Sequence, residues 1–232
     1  VIYVNTLDDK EEVAQKFGKY DFLALPVVDK EERLVGIVTV DDAIDVIQEE
    51  ATEDIEKLAA IVPTDKPYMR TGVIETWKKR IPWLLLLMIS ATFTTMIITG
   101  FEHALKAQVV LTAFIPMIMG TAGNSGSQAS VTVVRSLSLG EIEYRDTLKV
   151  MFKEFQVALL CGVTLAIATF AKCVFIDATG VDIAWVISLT LLVAIVFSKL
   201  IGCLLPIGAK RLGIDPTVMA SPFITTIVDA LS

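Results

Sequence analysis

Ser221, Thr225 and Asp229 recur at i, i+4 and i+8 in an otherwise apolar stretch. On a helix they form one polar stripe that ends in a carboxylate. No Lys, Arg or His lies within a helical turn of Asp229. A charged Asp near mid-bilayer costs roughly 2.5–3.5 kcal/mol, and such residues by default mark ion or proton pathways; at the external interface the same group is simply solvated. A second constellation is Gly120-Thr121-Ala122-Gly123-Asn124-Ser125-Gly126-Ser127-Gln128-Ala129-Ser130, all small or polar. Thr121, Asn124, Gln128 and Thr132 share one helical face. Small residues such as Gly123 let helices approach and expose backbone carbonyls, while polar ones are tolerated where they line a wet cavity. A tight helix–helix seam is the other reading of this stretch. Carboxylates, carbonyls, hydroxyls and waters together suit hard divalent cations, and acidic rings favour cation passage.

Both constellations must be carried by membrane spans. The 232 residues are 54% hydrophobic, with a mean hydropathy of +0.65, above the usual share of a soluble domain. The excess is uneven. Residues 1–65 hold 17 Asp/Glu against 6 Lys/Arg, whereas residues 66–232 hold 10 against 14: an acidic aqueous piece precedes a hydrophobic one with a basic trim. Charge-free runs predict spans over 81–99, 107–135, 147–176 and 183–205, with a fifth opening at Asp215-Pro216 as N-cap and first helical residue. Lys172 and Lys199 are expected to snorkel from span ends. Lys78, Lys79 and Arg80, then Arg135, Arg145 and Lys149, then Lys210 and Arg211 flank alternate span ends. The positive-inside rule then places the N-terminus in the cytosol and the C-terminus outside.

The first fifty residues read β-α-β-β-α. Val1–Val4 is a short run. Thr6 and Asp9 form a capping-box-like signature ahead of a helix through Phe17. Runs 23–28 and 34–40 flank the charged turn Asp29–Arg33 as a hairpin, and Asp41-Asp42 open a helix continuing to Val62. The chain opens without Met or a signal peptide and reads as an internal fragment. Cys161, Cys173 and Cys203 sit in apolar runs without metal-like spacing and read as packing residues. The acidic balance excludes nucleic acid as a partner.

Pro26-Val27-Val28-Asp29 and Gly36-Ile37-Val38-Thr39-Val40-Asp41-Asp42 resemble a CBS motif, the regulatory module named after cystathionine β-synthase. Such motifs work as pairs, so the resemblance implies a partner motif upstream or on another subunit. Pro116 with the glycine-rich stretch, then Asp-Pro…Ser-Pro-Phe-Ile-Thr-Thr-Ile-Val-Asp, look like the MgtE family of magnesium channels across essentially the whole chain. That resemblance implies a mainly α membrane protein with five transmembrane helices, preceded by a partial α/β CBS-type cytosolic module and a long connecting helix. The divisions are 1–48 for the module, 49–80 for the acidic connecting helix and linker, and 81–232 for the five-helix pore domain, whose last helix is still apolar at Ser232 and reads as cut short. It implies a homodimer whose second and fifth helices line a pore for Mg2+, with Asp229 holding the hydrated ion and Thr225, Ser221, Asn124, Gly123 and Gln128 around it. Regulatory Mg2+ bridging Asp21, Asp42, Asp45, Glu50, Glu53 and Asp54 to other acidic surface implies closure of the pore; a solvated charge run is the plain reading of the same residues. Thr39 and Asp42 match the hydroxyl and carboxylate with which CBS motifs bind adenine nucleotides.

Other classes fare worse. A secondary transporter coupled to Na+ or H+ shares the lone intramembrane Asp. A membrane aspartyl protease needs two carboxylates sharing a proton, and one chain supplies one. His103 is the sole histidine, which excludes a zinc hydrolase. The chain is expected to be no enzyme.

Overall fold

The structure is a computed structural model whose described residues are 2–64, 66–219 and 221–231, with the side chains of Ala107, Met219 and Ser221 outside the description. Two compact units divide the chain: residues 1–56 with 63–71, and residues 57–62 with 72–232.

In the first unit, β1 (Val4–Asn5), α1 (Lys10–Tyr20), β2 (Ala24–Val28), β3 (Leu34–Thr39) and α2 (Val40–Leu58) follow in order. β2 is central, parallel to β1 and antiparallel to β3. The expected hairpin forms because Asp29 Oδ1 accepts from the backbone N–H of Glu31 and Arg33 at 3.0 and 2.9 Å, while Glu32 takes φ 59°. Val4, Ala14, Phe17, Leu25 and Ala43 make the buried core. Two boundaries depart from the sequence expectation. The N-cap of α1 is Asp9, whose side chain accepts from Glu11 N, so Thr6 plays no part in it. α2 ends at Leu58 rather than Val62, because Ala60 turns left-handed (φ 54°) and its N–H closes on Lys57 O.

In the second unit, α3 (Val73–Gly100) absorbs the basic-aromatic segment around Trp77 and runs through Pro82. Proline is tolerated in membrane helices because neighbouring groups satisfy the freed carbonyl. A short helix α4 (Glu102–Ala107) and a 3-10 turn (Val109–Phe114) lead to α5 (Ile115–Ser138), with Pro116 in its first turn. α6 (Thr147–Phe175), α7 (Val181–Arg211) and α8 (Ser221–Leu231) complete it.

Four helical segments, 73–100, 109–138, 144–175 and 181–211, are long and apolar enough to cross a membrane. The fifth expected span differs. Asp215 caps only a 3-10 turn, accepting from Thr217 N at 2.9 Å, and the α-helix opens later, at Ser221, with eleven residues. Pro222 then stands in the first turn of α8, where its missing N–H costs no intrahelical bond.

α7 is the most buried span, lying between α5 and α6. An apolar cluster including Ile118, Ala122, Leu191, Ile195, Ile224 and Val228 ties α5, α7 and α8 together. A second, around Val133, Leu137, Cys203 and Ile207, closes the other end of α5 and α7.

Candidate ion site between α5 and α8

α5 sorts its small and polar residues onto different faces. Ala122, Gly123, Ser125, Gly126, Ala129 and Ser130 are buried, whereas Asn124, Gln128 and Thr132 are exposed and Thr121 is half-buried. The small residues thus make the seam that one sequence reading expected, and the amides stand clear of it on the other face.

The seam is close. A Cβ at Gly202 of α7 would meet Gly126 O, with Gly126 C at 3.0 Å. Ser198 Oγ donates a hydrogen bond to Ala122 O. This fastens α7 to the glycine segment through a backbone carbonyl, a role that sequence reading missed because Ser198 carries no pattern of its own.

On its neighbouring face the segment meets α8. A Cβ at Gly123 would lie 3.2 Å from Thr225 Cγ2 and 3.8 Å from Asp229 Oδ1. The missing side chain is what lets Thr225 and Asp229 stand beside the α5 backbone. Ile224 and Val228 point into the core at 0% and 2% exposure, which fixes the rotation of α8 and turns Thr225 and Asp229 to its half-buried flank. Thr225 and Thr226 hydroxyls both donate to Pro222 O at 2.9 Å. An edge-to-face contact of Trp83 with Phe223, centroids 5.7 Å apart, holds α8 to α3. Asp229 also walls a cavity of about 330 Å³ with Thr94, Ile97, Ile118, Ile187 and Thr190. The structure thus brings together Gly123, Thr225 and Asp229. Asn124 and Gln128 sit on the adjacent exposed face of α5, and the side chain of Ser221 lies outside the described residues.

The charged groups of the spans behave differently from expectation. Lys172 pairs with Asp177 at 2.6 Å at the end of α6. Lys199 does not snorkel: it is 4% exposed and faces Glu154 of α6 at 3.8 Å. Its ammonium turns into the α6–α7 seam instead of running along α7 toward the helix end. Lys210 Nζ donates to Leu137 O at 2.8 Å, capping the end of α5. Within the same unit Lys57 Nζ lies 2.6 Å from Asp215 Oδ2. Burial raises the Asp215 carboxyl, but hydrogen bonds from Lys57 and Thr217 outweigh it and hold it below the usual carboxylate range.

In the first unit, Asp21 ends α1 in the left-handed region (φ 54°). Asp42, Asp45, Glu50, Glu53 and Asp54 are strung along α2, about 28 Å long at the helical rise. Asp45 and Glu53 line a cleft of about 420 Å³ with Lys10, Glu49, Glu56 and Lys66. Lys10 bridges Glu50 at 3.0 Å and Glu49 at 3.7 Å. Among the described residues no three His, Cys, Asp or Glu side chains converge on a metal-sized site. The acidic set of one chain therefore does not complete a regulatory metal site. Thr39 Oγ1 donates to Asp42 Oδ2 at 3.0 Å, so the two proposed nucleotide contacts hold each other.

Residues 115–232 match the family model described as MgtE, divalent cation transporter, and residues 1–49 match the CBS domain model. The chain belongs to the MgtE family. That family consists of transporters, not enzymes. The match begins at the first residue of α5 and includes α8, so both polar constellations fall inside it. Among curated relatives, the magnesium transporter MgtE of Thermus thermophilus is 41% identical over 229 residues, 99% of this chain and 50% of the relative. The magnesium transporters MgtE of Bacillus subtilis and Enterococcus faecalis are each 36% identical over 232 residues, 100% of this chain and 51% and 50% of theirs. The chain spans about half the length of the curated relatives it matches.

Proposed function

We propose that this protein carries Mg2+ across the plasma membrane as a channel, through a pore that α5 and α8 line at the two-fold axis of a homodimer. The observation that carries the proposal is the apposition of Gly123 with Thr225 and Asp229, beside the exposed amides of Asn124 and Gln128. A polar face that its own chain leaves uncovered, on a helix long enough to span, needs water or a second polar surface in the membrane. A two-fold axis sets each stripe opposite its copy. Mg2+ dehydrates reluctantly and keeps several waters. One carboxylate from each subunit, with amides and hydroxyls around it, fits a hydrated divalent ion: Asp229 supplies charge, and Asn124, Gln128, Thr225 and Ser221 exchange hydrogen bonds with its water shell.

The proposed division is a CBS-like module over 1–48, an acidic connector over 49–80 and the pore domain over 81–232, with the module cytosolic and the C-terminus outside. Regulatory Mg2+ closes the pore by joining Asp21, Asp42, Asp45, Glu50, Glu53 and Asp54 to acidic surface on another domain or subunit. This reading is consistent with the absence of a complete metal cluster among the described residues of one chain. Adenine nucleotide at Thr39 and Asp42 has to displace the bond between them.

The test is Mg2+ uptake into proteoliposomes holding the full-length protein, with Asp229→Asn alongside wild type. Uptake in the variant is expected to fall by about tenfold or more, the equivalent of losing roughly 1.4 kcal/mol of ion stabilisation. Undiminished uptake removes Asp229 from the pathway. Wild-type uptake that requires a Na+ or H+ gradient replaces the channel with a coupled transporter.

A further inference from the structure

The Glu154–Lys199 pair is unlike the other ion pairs of the spans. Lys172 pairs with Asp177 and Lys106 with Glu102 at exposed helix ends, but Lys199 and Glu154 have side chains only 5% and 12% exposed. Lys199 lies just past the middle of α7, about 18 Å from its end at Arg211. Glu154 Oε2 is buried and has no hydrogen-bond partner within 3.5 Å. Ionisable residues buried between spans are rare and functional by default. A lysine is also a poor lining for a cation pathway, because its charge repels the ion. Its role therefore lies in what it holds.

The pair sits on the α6–α7 seam. On α6, Glu154 is followed at i+4 and i+8 by Ala158, fully buried, and Gly162, whose absent Cβ would lie 3.4 Å from Leu192 of α7. On α7, Lys199 lies between Ile195 and Cys203, members of two separate apolar clusters. Interdigitated side chains on either side oppose both separation and sliding. The charge pair adds a directional contact at one point of the seam, midway between the two clusters. The residue before Lys199 is Ser198, whose hydroxyl holds Ala122 O, and Gly202 packs on Gly126. Ala122 adjoins Gly123, the residue against which Thr225 and Asp229 stand.

We infer that Glu154 and Lys199 are positioning residues that set the register of α7 on α6, and through Ser198 set how the α5 glycine segment meets Thr225 and Asp229. The inference rests on the proposed role of Asp229 in cation passage. Its consequence is specific: loss of the pair alters discrimination between Mg2+ and Ca2+, ions that differ in size and hydration, more than it alters maximal flux.

Removing one partner strands a buried charge and destabilises the fold, whereas replacing both by neutral groups is often harmless to stability. The informative protein is therefore full-length Glu154→Gln/Lys199→Met, compared with wild type and Lys199→Arg for thermal stability and for Mg2+ and Ca2+ uptake in proteoliposomes. The double variant is expected to melt no earlier than wild type. Its Mg2+-over-Ca2+ preference is expected to fall roughly threefold to thirtyfold, the range over which such couplings act. Lys199→Arg keeps the wild-type preference. If the double variant does not fold, Glu154→Lys/Lys199→Glu takes its place, and restored folding with wild-type preference is then the expected result. Wild-type preference in a stable, charge-free double variant, or lost preference in a stable swapped pair, overturns the inference and leaves the pair as packing. Wild-type protein that carries neither ion defeats the transport reading as well.

Discussion

Gly202 and Gly126 meet backbone to backbone where α7 crosses α5, and neither has room for a methyl group. A Cβ on Gly202 would lie 3.0 and 3.1 Å from Gly126 C and Cα, atoms of a helix backbone that cannot rotate away. Gly202→Ala is therefore expected to destabilise the protein by about 1–3 kcal/mol, the usual cost of overpacking, despite alanine's better helix propensity. A lower thermal midpoint of the purified variant checks it; an unchanged or higher midpoint counts against the close seam. Single residues were legible where they formed a pattern. The i, i+4, i+8 stripe of Ser221, Thr225 and Asp229 and the amides of α5 were visible because polar spacing in an apolar run has few other causes. Ser198, Glu154 and Lys199 were not, since each stands alone in its helix and gains meaning only from a partner on another.

At the scale of elements, periodicity located the helices and local chemistry moved their ends. α8 opens at Ser221 with Pro222 in its first turn, Ala60 cuts α2 short, and Asp9 rather than Thr6 opens α1. None of these could be weighed by hydropathy, because each turns on one N–H or one φ angle. The acidic helices carry their own prediction. Burial, then the charges of Glu50 and Asp54, pushes the Glu11 carboxyl above its usual 4.5. The folded state thus holds the Glu11 proton to higher pH than the unfolded state. Stability from this group is fully present below pH 4.5 and is lost as pH rises through the raised folded value. Glu11→Gln is accordingly expected to raise the thermal midpoint of the CBS-like unit at neutral pH and to leave it unchanged below pH 4.5. A midpoint lowered at neutral pH shows the carboxylate to be stabilising instead. Divalent cations at millimolar concentration should shrink the difference by neutralising the same repulsion.

Across the whole molecule, polarity is distributed against the expectation for helices that face only lipid. α5 is one of four segments able to cross a membrane, and its buried face is built of Gly, Ala and Ser while Asn124 and Gln128 are exposed. Sequence reading reached this architecture because charge and hydropathy divide the chain so unevenly. It grouped Thr121, Asn124, Gln128 and Thr132 on one face but could not tell seam from open face, since small residues satisfy both until the neighbouring helix is known. The central claim is that the exposed amide face of α5 borders the ion. The most direct measurement is Mg2+ uptake by full-length protein lacking Cys161, Cys173 and Cys203 and carrying Asn124→Cys, before and after reaction with the impermeant cation trimethylammonioethyl methanethiosulfonate. Val163→Cys, exposed on α6, serves as the lipid-facing control. Modification at position 124 is predicted to abolish uptake, with recovery on reduction of the mixed disulfide, while treatment of the position 163 variant leaves uptake unchanged. Full uptake by protein modified at position 124 contradicts a pore along this face.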